Sequence, residues 1–150
     1  METCLNQVLG TRSCEEYFLA WRDWLAHKSG FWFVRSLVDN QVALSPDLMR
    51  LLGQPELMDH DDLVQQHCRI EDQPCLQMAI EKSMRIMQAH ETAVSILCPN
   101  HQPVTVRWRE IPYRCPGATD CDHICSVAVG LVLVDSLQTA ALADEGQTMA

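Results

Sequence analysis

The chain has 150 residues, 47% of them hydrophobic, with 20 Asp and Glu against 11 Lys and Arg for a net charge of -9. That length suits one domain with a proper core rather than two, and the acidity argues against a nucleic-acid surface, which needs clustered Lys and Arg. Arg, Asp or His interrupts every apolar run before it could span a membrane, and Met1-Glu2-Thr3-Cys4-Leu5 lacks the basic and apolar regions of a secretory signal, so a cytoplasmic protein with reduced thiols is expected.

Residues Met1 to Arg12 show no strong period. Ser13 with Glu16 makes a capping box, and the spacing of Tyr17, Trp21, Trp24, Leu25 and Lys28, with Phe18 alongside, predicts an amphipathic helix that Gly30 ends. Its aromatic face is expected to pack on the domain or on the same helix of a second copy. In the second case Tyr17, Phe18, Trp21, Trp24 and Leu25 would form a homodimer interface. Gly30 to Val38 reads as a strand and Asp39-Asn40 as the turn of a hairpin with Gln41-Val42-Ala43-Leu44.

Ser45 to Gly53 predicts a short helix marked at both ends: Ser45 as cap, Pro46 where a missing N–H costs nothing, Gly53 for the left-handed stop. Gln54-Pro55 and Asp59-His60-Asp61-Asp62 read as a polar link into a helix from about Asp62 to His67. Asp72 and Pro74 start a longer helix running to Gln88. Thr92 to Cys98 is strand-like. Pro103 to Ile111 follows as a second strand, in which Val104, Val106 and Trp108 alternate with Thr105, Arg107 and Arg109. Arg114 to His123 reads as a polar loop, the almost wholly apolar Ile124 to Val134 as a central strand, and Asp135 to Ala143 as an exit helix.

Four pieces of this order resemble the PAS sensor family over about Gly30 to Gln138. Gly30-Phe31-Trp32-Phe33 looks like the family's opening strand, and Ala43 to Gly53 like its strand leading into a helix that ends Leu-Gly. Cys68-Arg69-Ile70-Glu71-Asp72 resembles the start of its long helix, with Arg69-Ile70 in place of His-Pro. Val129-Gly130-Leu131-Val132-Leu133-Val134-Asp135 resembles its final strand. The resemblance implies an α+β fold: a five-stranded antiparallel sheet with helices packed on one face, preceded by the amphipathic helix. It divides the chain into an N-terminal segment (1–29), a PAS-like sensory domain (30–138) and a tail (139–150). It also implies a signalling module that binds a small ligand or a partner and acts through its terminal helices on an output module outside these residues, either in a longer chain of which this is a piece or in a separate protein. No Asn-Cys-Arg-Phe motif is present and no His stands out as a haem ligand, so neither a flavin adduct nor haem is expected.

A curved sheet facing short helices encloses a mostly apolar cavity. By alternation, Trp32, Val34, Leu44, Val106, Trp108, Val129 and Leu131 are candidates for its inner wall, with Leu52, Met78, Met84 and Met87 from the helices. The same residues would serve equally well as a filled core. Enzyme motifs are absent. Asp59-His60-Asp61-Asp62 could offer donors to a divalent ion, although an Asp before a helix is a common cap. Cys115, Cys121, His123 and Cys125 share one loop. Thiolate and imidazole suit Zn²⁺, and accessible thiols suit a redox-responsive pair. The spacings of five and three intervening residues are also those of a plain polar loop that carries thiols.

Overall fold

The computed structural model describes residues 14–99, 102–114 and 126–134. Helix α1 (Cys14–Leu25) leads into strands β1 (Trp32–Ser36) and β2 (Gln41–Leu44), followed by α2 (Pro46–Leu52) and β3 (Leu57–Asp59). Helices α3 (His60–His67) and α4 (Gln73–Ile86) come next, then β4 (His90–Ile96), β5 (Val104–Arg114) and β6 (Ser126–Leu133). All pairings are antiparallel, in the order β3-β2-β1-β6-β5-β4. The first and last strands lie side by side at the centre, and the helical stretch carries the chain from one edge of the sheet to the other.

Local chemistry explains the first half. Asn40 closes the β1–β2 turn at φ 63°, a left-handed conformation that Asn tolerates. Ser45 caps α2: its Oγ accepts from Leu48 N–H at 3.1 Å and from Trp32 N–H at 3.2 Å, and it donates to Gly30 O at 2.8 Å. Gly53 ends the helix at φ 65° with its N–H on Met49 O. Asp72 behaves differently from the cap that its position predicts. It lies in helical conformation, and its carboxylate accepts from Ser95 N–H at 2.8 Å instead, pinning the start of α4 to β4.

The sheet has six strands among the described residues where five are expected. The additional strand is Leu57–Asp59, which reads from sequence as part of a polar link; it pairs with β2 as Gln41↔Asp59, Val42↔Met58 and Ala43↔Leu57. Three residues with Leu57 exposed carry no alternation to betray a strand.

Two cores sandwich the sheet. On one face Phe33, Val42, Leu44, Val94, Ile96, Val106, Trp108 and Val132 pack against Leu48, Leu52, Leu63, Leu76 and Ile80 of α2, α3 and α4. On the other, α1 lays Tyr17, Phe18 and Trp21 over Trp32, Val34, Ala43, Val127 and Val129. The Trp21 ring lies 4.6 Å from that of Tyr113. Tyr17 is fully buried and Trp21 only 3% exposed. At roughly 2 kcal/mol for each large side chain removed from water, α1 is an integral layer of the domain. Tyr17, Phe18 and Trp21 therefore face this chain's own sheet, which corrects their place in the expected dimer surface. Trp24 stays 46% exposed and Leu25 is half-buried.

Candidate functional site

Strand β5 buries every second side chain, Val104, Val106 and Trp108, and then on the same parity Glu110, which is fully buried. A carboxylate taken out of water must be paired. Trp108 Nε1–H donates to Oε2 at 2.9 Å, His60 Nε2 lies 3.2 Å from the same oxygen, and Arg35 Nη1 lies 3.5 Å from Oε1.

Each donor is placed by its element. His60 opens α3, whose preceding Asp59 caps the helix by accepting from Asp61 N–H at 2.8 Å and Asp62 N–H at 3.4 Å. Arg35 shares the inner parity of β1 with Phe33, and its Nε donates to Asn40 Oδ1 at 2.9 Å. β6 runs between β1 and β5, and the register puts Ala128 opposite Arg35 and Gly130 opposite Glu110. These small residues let the guanidinium reach across the strand.

Burial pushes the Glu110 carboxyl up, but the His60 charge and hydrogen bond, the Arg35 charge and the Trp108 bond together outweigh it and bring the group down to about 2. His90, opposite Glu110 in the β4–β5 register, is shifted below the ordinary histidine value. Desolvation is the main cause; Glu110 pulls the other way, and His60 and Arg35 reinforce the shift. Its Nδ1 meets Thr92 Oγ1 at 3.3 Å, and its Nε2 is buried without a partner among the described residues. An NMR titration of the imidazole signals is expected to show His90 protonating below pH 6.5; a midpoint at or above that value would contradict this placement. Burial lifts the Cys68 thiol to about 12 and the Cys98 thiol to about 11, so both act as apolar fillers rather than reactive thiols.

Beside this cluster, α3 and α4 leave a cleft of about 480 Å³. Its floor is Arg35, His60, Val64 and Ile80, all largely buried. Its rim is Asp61, Pro74, Gln77, Met78 and Glu81, all exposed. The lining mixes polar Arg35, His60, Asp61, Gln77 and Glu81 with apolar Val64, Pro74, Met78 and Ile80, so it suits a ligand with both polar and apolar parts better than a wholly apolar one.

The sequence-predicted pocket residues lie elsewhere. Leu44, Leu52, Val106 and Trp108 are in the core under α2–α4, with Met84 packed against it. Trp32, Val34, Val129 and Leu131 belong to the other face, under α1. The reason is parity: β1 and β6 are apolar on both faces, so alternation cannot say which set points where, and one residue of slip exchanges them. Of the methionines considered, Met78 lines the cleft. Asp59 proves to be a helix cap and His60 a partner of Glu110. Cys115, Cys121, His123 and Cys125 lie outside the described residues, among which no group of three or more His, Cys, Asp or Glu could hold a metal. Sequence reasoning passed over Arg35, His60 and Glu110 as a set. The usable signal was Glu110 on the buried parity of β5, which demands a cationic partner from another element.

No family model matches the chain, and no curated protein matches it. Solved structures do. The PAS-B domain of Drosophila melanogaster Cycle with bound ethylene glycol is 11% identical, with a TM-score of 0.53 over 70% of this chain and 99% of that one. A Rhodobacter sphaeroides LOV protein is 13% identical, with a TM-score of 0.58 over 75% and 64%. A sensory box histidine kinase/response regulator from Burkholderia thailandensis is 8% identical, with a TM-score of 0.52 over 86% and 95%. The fold of the described residues is thus PAS-like.

Proposed function

We propose that the chain is a sensory signal-transduction domain without catalytic activity of its own. In this reading it takes a small ligand in the α3–α4 cleft and passes the change to an output domain or protein outside these residues. The observation that carries the reading is the cleft of about 480 Å³ whose floor bears Arg35 and His60, both tied to the buried Glu110. A ligand touching Arg35 or His60 would alter the pairing of Glu110, and through β1 the packing of α1. α1 and the segment after β6 are the route out. The PAS-like fold and the bound ethylene glycol in the Cycle PAS-B structure favour ligand binding as the mode of sensing. No helix among the described residues is long and apolar enough to cross a membrane, and a cytoplasmic setting is part of the proposal.

Native mass spectrometry of the purified protein, followed by thermal melts with whatever molecule is retained, tests this. A ligand at a hundredfold excess over its Kd stabilises by about 2.7 kcal/mol, which raises the Tm of a domain this size by roughly 5–10 °C. Gln77→Trp, at an exposed position on the cleft rim, should abolish that shift without unfolding the domain. A shift of equal size in the variant would place the ligand elsewhere and refute the cleft as the sensing site.

A further inference from the structure

We propose that the cleft selects a small zwitterion of the amino-acid kind, with its carboxylate on Arg35 and Gln77, its ammonium on Asp61 and Glu81, and an apolar side chain between Val64, Met78 and Ile80. This rests on the reading of the cleft as a ligand site and adds its chemistry.

The floor carries unused polar atoms. Arg35 spends Nε on Asn40 and holds Glu110 with Nη1 only at 3.5 Å, while its Nη2 has no partner among the described residues. The His60 side chain is 3% exposed and uses Nε2 on Glu110; its Nδ1 likewise has no partner among them. Among the described residues, the polar side-chain atoms sealed in without partners are Trp21 Nε1 and His90 Nε2. Arg35 Nη2 and His60 Nδ1 are therefore open, and both residues line the cleft.

Charge balance then selects the ligand class. Arg35 and His60 are both paired with the buried Glu110. The charges left facing the cleft are the carboxylates of Asp61 and Glu81, neither of which has an ion-pair partner among the described residues. A ligand with only a negative group would meet their repulsion. One with only a positive group would strip water from the Arg35 guanidinium and give nothing back. A zwitterion satisfies both ends. The side-chain space is apolar, with Val64 1% and Ile80 5% exposed, and Met78 at the mouth is the adaptable residue for an uneven ligand surface.

Calorimetric titrations with L-leucine, L-methionine and L-phenylalanine test this, each run beside its decarboxylated amine and its deaminated acid; for leucine these are isopentylamine and 4-methylpentanoate. At least one amino acid is expected to bind, with its amine and its acid weaker by about tenfold to a hundredfold, the worth of a charged hydrogen bond at each end. The double variant Asp61→Asn, Glu81→Gln, at exposed positions, should weaken the amino acid by about tenfold or more and not weaken the acid. An amine or an acid that binds as tightly as its amino acid overturns the proposal. So does failure of all three amino acids. If in that case native mass spectrometry still finds another molecule that Gln77→Trp displaces, only the zwitterion assignment falls and the sensing site stands; if Gln77→Trp leaves that molecule bound, the site itself falls as well.

Discussion

Replacing Gly130 with alanine is expected to destabilise the domain by about 3 kcal/mol or more, at the upper end of what overpacking a core costs. The cause is steric. A Cβ at Gly130 would lie 2.0 to 2.4 Å from Cζ, Cε1 and Cε2 of Phe33, its partner across the β1–β6 ladder. Phe33 is fully buried, with Trp108 at 5.5 Å and His60 at 6.1 Å between ring centroids. The ring can yield only by displacing the side chains that hold Glu110. Urea melts should show the loss as a lower midpoint at unchanged slope. In a Phe33→Leu background the added methyl should cost far less, because the double-mutant cycle removes the clash. Equal midpoints for Gly130→Ala and the native chain would mean that the ring has room to swing aside.

The second large effect centres on Glu110. Glu110→Ala leaves Arg35 and His60 beside a hole where their counter-charge was, and breaking a buried pair in this way costs about 3–5 kcal/mol. The same group sets an acid limb of stability. Its carboxyl sits at about 2 in the folded chain against an ordinary 4.5, so the unfolded chain takes up the proton more readily. The stabilisation is full above pH 4.5 and drains away as the pH falls towards 2; at 1.36 kcal/mol per unit it is of order 3 kcal/mol. His90, depressed below 6.5, also binds its proton more readily when unfolded, and it opens a separate loss nearer neutrality. Glu110→Gln should flatten the limb below pH 4.5 and keep a loss starting near 6.5. Parallel stability curves for the native chain and Glu110→Gln between pH 4.5 and 2 would show that the carboxylate is not held as the geometry indicates.

How much of this was legible in the sequence depended on how far each cause reaches along the chain. Ser45, Pro46 and Gly53 mark α2 correctly because capping is settled within a few residues. β5 was legible from Val104 to Trp108 because its two faces see different surroundings. β1 and β6 are covered on both sides, so their apolar runs announced strands but not faces; Phe33 points inward because Gly130 leaves it space, 97 positions away in the chain. The site was harder still. Arg35 and His60 lie 75 and 50 residues from Glu110, and only the sheet order and the cap at Asp59 bring them together. Glu110 by itself could have been flagged, since a carboxylate on a buried parity has to find a partner. The loop with Cys115, Cys121, His123 and Cys125 lies outside the described residues.

Strand β1 has a last consequence, one of thickness. Alternate residues of this five-residue strand serve opposite sides: Phe33 and Arg35 face the core and the cleft, Trp32 and Val34 the underside of α1. Arg35 and Val34 share a peptide bond. The cleft floor and the seat of α1 are thus the two surfaces of one layer of backbone, with helices packed about 10 Å to either side of it. A pull on the Arg35 side chain and a tilt of α1 need no chain of intermediaries between them, because the same peptide group carries both.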